Sequence, residues 1–422
     1  MSRPPGRKRV AFFTEVGLIG GAERFLRDVV HSLDPDRYEV EVVCVGNTAL
    51  PSYLREHAVA REVAVRSLAL RTLGTNFGVV GARSLKRVPL LYRWRSIPKG
   101  LLRQTKNLRN WPIIVRALRD RRIDILHINN GGYPGGESCR LAAVAARQVG
   151  IPVRVMTVHN MAETVTFPKR LERSRDVQIA AALDVVVTGS QASARSLLEV
   201  RGFPSGKLQV IPYGIPDPGI GSRDRLASLK AELGIVGPGV VIGVVGSFEP
   251  RKGQEVLIRT LPAIKARLGA LKAIFVGEGE RLAAAQALSH ELGVAGDVIF
   301  AGYRRDALEI MRLLDVLALP SVGQESLPYV VIEAMALGKP VVGSRIAGVP
   351  EEIEDGVTGK LVAPGDSAAL AEALIGLLLD RDRASEMGRQ GRRKYLAEFT
   401  LSRMMTQLER MYEAGRCAPA LT

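Results

Sequence analysis

Short, mostly apolar runs of three to seven residues, rich in Val, Ile and Leu, recur from one end of the chain to the other. Between them lie stretches in which apolar residues return every three or four positions. The first pattern fits strands buried on both faces, as in a parallel sheet, and the second fits helices with one buried stripe. The strand runs form two series. Val10–Thr14, Glu39–Val45, Ile123–Ile128, Val153–Val158, Val185–Thr188 and Leu208–Ile211 make the first. Val240–Val245, Lys272–Val276, Val298–Ala301, Val316–Ala318 and Pro340–Gly343 make the second. Gly21–Leu33, Ser190–Val200 and Gly253–Leu268 are among the expected helices. Strand–helix alternation of this kind predicts doubly wound, Rossmann-like α/β domains.

The alternation occurs twice, and 422 residues suit two cores better than one. Residues 1–212 are expected to form the first domain, and residues 240–394 the second. The Gly- and Pro-rich interval 213–239 is expected to link them, with a short helix over Arg223–Leu233. The amphipathic stretch Tyr395–Tyr412 lies within a terminal segment, 395–422, expected to pack back on the first domain. Two such sheets facing each other would form a cleft at the carboxyl ends of their strands, where open α/β sheets take their ligands.

Composition excludes several classes. With 46% hydrophobic and 24% charged residues the chain is neither disordered nor fibrous. Its three cysteines (Cys44, Cys139 and Cys417) are far apart and lack metal or redox spacing. That usage predicts a cytoplasmic protein. The basic N-terminus is followed by too short an apolar run for a signal peptide. The longest uncharged stretch, Leu233–Ser247, is too short to span a bilayer.

Charge changes the picture locally. The formal net charge is +16, and Arg83–Arg122 alone holds 13 Lys and Arg against one acid, Asp120. Within it, Arg83–Trp111 mixes basic residues with Leu, Tyr92, Trp94 and Trp111 and contains Pro89 and Pro98. Pro112–Arg122 is expected to be a separate helix. Basic amphipathic segments with Trp suit an anionic membrane surface, so a peripheral position at the inner face of a membrane is expected.

The chemistry concentrates between Ala318 and Asp366. Glu325-Ser-Leu-Pro-Tyr-Val-Val-Ile-Glu333 precedes Ala-Met-Ala-Leu-Gly-Lys-Pro-Val-Val and Gly348-Val-Pro-Glu-Glu-Ile. A helix starting near Pro328 would leave Glu325 in the preceding loop and carry Glu333 one turn inside. The amides of Leu327, Pro328's neighbour Tyr329 and Val330 would then sit at the positive helix end, a place suited to phosphate. The flanking carboxylates would accept hydroxyl hydrogen bonds on either side of it. Taken alone, the two glutamates could equally be a surface residue and a helix cap.

These motifs, with the Glu-x7-Glu spacing and Asp355-Gly-Val-Thr-Gly-Lys-Leu-Val-Ala-Pro-Gly-Asp366, resemble glycosyltransferase family 4, a retaining family with the two-domain GT-B fold. The resemblance implies that Glu325 holds the donor sugar and Glu333 the ribose of a nucleotide diphosphate sugar. It also implies that Lys252 and Arg251, in Val245-Gly246-Ser247-Phe-Glu-Pro-Arg251-Lys252-Gly253, stabilise the departing phosphate. Ser247 stands where the family usually carries Arg, and Arg251 is the candidate replacement.

In the first domain Gly20 and Gly21 open a helix after the first strand, an expected donor or acceptor contact with a bare helix end. His127 and His159 close predicted strands, and Asn160 follows His159. By the resemblance His159 touches the donor sugar; His127 and Asn160 are cleft candidates. Gly277-Glu-Gly279 lacks the third glycine of a dinucleotide loop and is expected to be a turn. Tyr303 and Arg304 are expected near the base. The sequence requires no metal and no cofactor beyond the nucleotide-sugar substrate. The expected partners are that donor and a glycan or lipid-linked acceptor in bacterial polysaccharide or envelope synthesis. An epimerase or glycan phosphorylase on the same fold, a non-catalytic nucleotide-sugar binder and a basic nucleic-acid-binding module are the alternatives. Against the last, no aromatic platform or helix-turn-helix accompanies the basic segment.

Overall fold

The structure is a computed structural model that describes residues 6–16, 19–46, 49–56, 63–70, 99–119, 121–165 and 169–417. The chain divides into two compact units. Met1–Thr188, Ala194–Val210 and Gln407–Thr422 belong to the first, and Gly189–Ser193 with Ile211–Thr406 to the second.

The first unit contains β1 (Lys8–Val16), β2 (Tyr38–Gly46), β3 (Ala64–Leu68), β4 (Ile125–Asn130), β5 (Val153–Val158), β6 (Val185–Thr188) and β7 (Leu208–Val210). They form one parallel sheet in the order β3-β2-β1-β4-β5-β6-β7. The second unit contains β8 (Val240–Val245), β9 (Leu271–Val276), β10 (Val298–Gly302), β11 (Val316–Leu319), β12 (Val341–Ser344) and β13 (Gly359–Val362), all parallel in the order β10-β9-β8-β11-β12-β13. Both orders reverse direction beside the first strand of their unit, the topological switch point where doubly wound sheets bind ligands. The switch lies between β1 and β4 in one sheet and between β8 and β11 in the other.

Central strands are buried on both faces: every residue of β4, β6, β11 and β12 is buried, including the polar His127, Asn129 and Asn130 of β4. The edge strands β3 and β13 are absent from the expected set. Their residues alternate or are largely half-exposed, so no apolar run announces them.

Two helix boundaries differ from expectation. Residues 99–119 form one helix with Pro112 inside it. Proline removes the amide that would bond Leu108, and Leu108 is itself 74% exposed, so water can satisfy that carbonyl. At the other end, the expected single stretch breaks into Arg381–Glu398 and Leu401–Ala414. Between them Thr400 makes a parallel bridge with Ile215, whose amide bonds Phe399 O at 3.0 Å and whose carbonyl takes the Leu401 amide at 2.9 Å. The linker residue Ile215 thus interrupts the helix by claiming its backbone. Residues 71–98, which include most of the aromatic-basic segment, lie outside the described residues.

Candidate active site

In the second unit, the loops after β8 and β11 bring the acid and the bases of the sequence motifs together. Residues Pro250–Lys252 make a turn of 3-10 helix that ends at Gly253, with φ +65°, before the helix Gln254–Leu268. A Cβ on Gly253 would lie 2.0 Å from the carbonyl oxygen of Pro320, just beyond β11. Only glycine lets the two loops approach so closely in this backbone conformation. Their side chains then meet. Lys252 Nζ donates to Glu325 Oε1 at 2.7 Å, and Ser321 Oγ donates to the same oxygen at 2.8 Å. Arg251 reaches it at 3.4 Å.

Ser247 and Arg251 share a different carboxylate. Ser247 Oγ donates to Glu249 Oε1 at 2.6 Å, and Arg251 Nε to Glu249 Oε2 at 2.8 Å. Burial opposes ionisation of Glu249, but the Ser247 hydrogen bond and the Arg251 and Lys252 charges outweigh it and hold the carboxyl below its usual range. Arg251 therefore bridges Glu249 and Glu325. Sequence reasoning overlooked Glu249 and Ser321; their only signal was a polar side chain in a strand-end loop. Gly246 continues the backbone from β8, with its amide bonded to Val276 O at 2.9 Å. Gly277 and Glu278 are irregular backbone and Gly279 a bend, and Glu278 O takes the Phe248 amide at 2.8 Å.

The helix Tyr329–Ala336 starts at Pro328, and no side chain caps its first turn. Leu327 and Pro328 are buried, Tyr329 and Val330 half-buried. The Tyr329 ring stacks on Tyr213 at 5.3 Å and 3° between planes, which fixes the helix start. Glu333 lies one turn inside and is buried. Farther along, Tyr303 is exposed, while Arg304 is held by Asp306 at 2.8 Å and Glu232 at 2.5 Å. Its guanidinium is committed to those acids.

In the first unit the double glycine does not leave the helix Gly21–Ser32 bare. The Gly20 amide donates to Glu23 Oε2 at 2.9 Å, so a carboxylate of the same turn occupies the position a phosphate would want. His127 also differs from expectation. It is fully buried, stacked on Phe12 at 5.1 Å, with Nδ1 bonded to Tyr412 Oη and Nε2 to Thr157 Oγ1 at 2.6 Å. Both nitrogens are in use, so His127 is a core residue that anchors the terminal helix and not a lining residue. His159 directly follows β5 and is 7% exposed. It pairs through Nε2 with Asn129 Oδ1 at 2.7 Å, and the Asn129 amide nitrogen donates to Ala22 O at 3.1 Å. That orientation of the amide makes His159 the Nε2 donor. Asn160 is exposed and donates to Gly131 O at 2.8 Å.

Burial pushes both His127 and His159 down to about 3, and His159 adds to the effect on His127. Unfolded histidines take a proton near their ordinary value of about 6.5. The unfolded chain therefore binds more protons between those values, and stability falls as pH drops through that window, by up to roughly 1.4 kcal/mol per pH unit for each ring. Imidazole NMR signals should show two rings that do not titrate above pH 5. Ordinary titration of all five would refute this assignment.

Two Asp-x-Asp triplets do occur, at Asp34–Asp36 and Asp380–Asp382, and both serve backbone: Asp34 Oδ1 accepts the Asp36 amide, and Asp380 caps the helix Arg381–Glu398. Among the described residues no group of three or more His, Cys, Asp or Glu is placed to hold a metal.

Comparison with known proteins finds matches in both units. Residues 20–214 match the family model described as glycosyl transferase 4-like domain, and residues 239–380 match glycosyl transferases group 1. The chain is 32% identical over 295 residues to the GDP-mannose-dependent alpha-(1-6)-phosphatidylinositol monomannoside mannosyltransferase of Mycolicibacterium smegmatis, covering 67% of each. It is 30% identical over 306 residues to the phosphatidyl-myo-inositol mannosyltransferase of Mycobacterium leprae, covering 71% of this chain and 77% of that one. Among solved structures, Anabaena HepE in complex with UDP superposes with a TM-score of 0.74 at 21% identity, over 96% of this chain and 100% of that one.

Proposed function

The chain is a glycosyltransferase of family 4 with the GT-B fold, and from that premise we propose how its residues carry a hexosyl unit from a nucleotide diphosphate sugar to an acceptor hydroxyl with retention. The observation that carries the reading is the Lys252–Glu325 pair at 2.7 Å, at the switch point of the second sheet. A sugar carboxylate next to a phosphate cation matches the two halves of a glycosyl phosphate. Lys252 and Arg251 neutralise the diphosphate, helped by the amides at the start of Tyr329–Ala336. Glu325 accepts hydroxyls of the sugar, and Glu333 accepts those of the ribose.

The bond from the anomeric carbon to the phosphate oxygen breaks as the bond to the acceptor oxygen forms on the same face. The acceptor proton passes to the departing phosphate, so no protein nucleophile is needed. A neutral His159 adds no positive charge against a sugar that becomes cationic in the transition state.

Nucleotide diphosphates and their sugars should raise the melting temperature; a ligand at 100 times its dissociation constant adds about 2.7 kcal/mol. Glu333→Ala should weaken donor binding by roughly 1.5–3 kcal/mol, the worth of charged-group hydrogen bonds. Calorimetry giving wild-type affinity would remove Glu333 from the ribose.

For the acceptor, the two relatives named above are by name a phosphatidylinositol monomannoside mannosyltransferase and a phosphatidyl-myo-inositol mannosyltransferase, and the matched segments take in 67% and 77% of their lengths. A lipid-linked glycan is the acceptor class that this chain's own surface supports. On the helix Lys99–Arg119, Leu108 and Ile113 are exposed together with Arg109, Arg116 and Arg119. No described helix is long and apolar enough to cross a membrane. Docking would be reversible and salt-sensitive, because the attraction decays within about 8 Å at physiological ionic strength. Sedimentation with anionic but not neutral liposomes, lost at high salt, is the expected result. Equal binding to both, or to neither, defeats the docking; retention on DNA alone would favour a nucleic-acid partner.

A further inference from the structure

Glu352 ends the short helix Val349–Glu352, has no solvent exposure, and neither of its carboxyl oxygens has a hydrogen-bond partner. Its neighbour Glu351 is fully employed: the Gln191 and Ala192 amides donate to its carboxylate at 2.7 and 2.8 Å, and Lys394 Nζ donates to its carbonyl at 2.9 Å. An unsatisfied buried carboxyl costs stability, so its place in the fold asks for a reason.

The turn carrying Glu352 is pressed against the backbone of the sugar-site loop. The Gly348 amide donates to Glu325 O at 3.0 Å, and a Cβ on Gly348 would lie 1.6 Å from Ser326 O. The charged groups that act on Glu352 are Glu325, Glu351 and Lys394. Burial first, then the two carboxylates, push its pKa well above the usual carboxylate range, against the opposing charge of Lys394. A carboxyl buried with neither oxygen partnered is costly as an anion, so the site favours the protonated acid, which presents an O–H donor.

We propose that Glu352 is a positioning residue for the sugar-binding carboxylate, its carboxylic O–H donating to Glu325 when Lys252 turns from Glu325 to the donor phosphate. The proposal rests on the roles given above to Lys252 and Glu325. In the structure one ammonium serves Glu325, and the diphosphate requires the same ammonium. Glu325 is 4% exposed and would be left with Ser321 and the longer Arg251 contact. A neutral acid can replace the lost partner with a charge-assisted hydrogen bond and adds no net charge beside the phosphate. No covalent bond changes, and the proton stays on Glu352.

Three full-length variants test this: Glu352→Gln, Glu352→Leu and Glu325→Ala, with kcat and donor KM measured from neutral to alkaline pH. Wild-type kcat should fall at alkaline pH as Glu352 ionises, with donor KM little changed. Glu352→Gln keeps a donor that cannot ionise, so its kcat should stay near wild type at neutral pH and lose that alkaline decline. Glu352→Leu should lose about tenfold or more in kcat, as expected for a hydrogen bond to a charged group. Infrared spectra at neutral pH should show the C=O stretch of a protonated acid that disappears in Glu352→Gln. An unchanged kcat in Glu352→Leu, or the same alkaline decline in Glu352→Gln, would overturn the proposal. If Glu352→Leu does not fold, the Glu352→Gln pH profile decides alone. If Glu325→Ala turns over normally, the assignment of Glu325 has failed instead.

Discussion

Lys252→Ala is expected to lower kcat by about 10²–10³-fold, the usual cost of removing one group that meets charge developing on a leaving oxygen. The ammonium is held in place before any donor arrives, by Glu325 at 2.7 Å and by the glycine that lets its loop lie against Pro320. The loop keeps the ammonium beside the site, and an arriving phosphate has to draw it from Glu325 alone. Arg251 sits farther from Glu325, at 3.4 Å, and divides its guanidinium with Glu249 at 2.8 Å. Arg251→Ala should therefore cost less than Lys252→Ala. A drop below tenfold for Arg251→Ala would make it a bystander and leave Ser247 without a substitute for the family's Arg. A Lys252→Ala enzyme within a few-fold of wild type, with its melting temperature preserved, would refute the phosphate role of Lys252.

The parts of this arrangement visible in the sequence are those with a periodic or spacing signal. Buried parallel strands announce themselves where both faces are apolar, so β8 and β11 could be found from their Val, Ile and Leu. The Glu325–Glu333 spacing and Pro328 located a helix start within a residue of Tyr329. What stayed hidden depends on partners distant in sequence. From the sequence His127 is expected to close a strand and line the cleft, but β4 runs on to Asn130 and Tyr412, 285 residues away, takes its Nδ1. The helix break at Thr400 needs Ile215. The occupied helix end at Gly20 is the exception, since its partner Glu23 lies only three residues away. Glu352 was visible only as the second glutamate of a family-like motif. Its lack of partners is a property of packing, and no local pattern encodes it.

Glu325→Ala should have a different signature from Lys252→Ala, and that difference is the sharper test of the site. The carboxylate is proposed to meet the sugar, so its loss should lower kcat by roughly 10–100-fold, the range of one or two charge-assisted hydrogen bonds. Binding of a nucleotide diphosphate without sugar should follow the opposite course. In the unliganded protein Glu325 competes with phosphate for Lys252 and for Arg251. Removing it releases both cations, and nucleotide diphosphate affinity should be equal to wild type or tighter. Lys252→Ala should weaken that same affinity, since it deletes one of the cations. Calorimetry with the nucleotide diphosphate and with its sugar separates the cases, and Glu325→Gln controls for the loss of a buried ion pair. If Glu325→Ala and Lys252→Ala weakened nucleotide diphosphate binding alike, the carboxylate would belong to the scaffold of the phosphate loop, and the sugar would have to be held elsewhere.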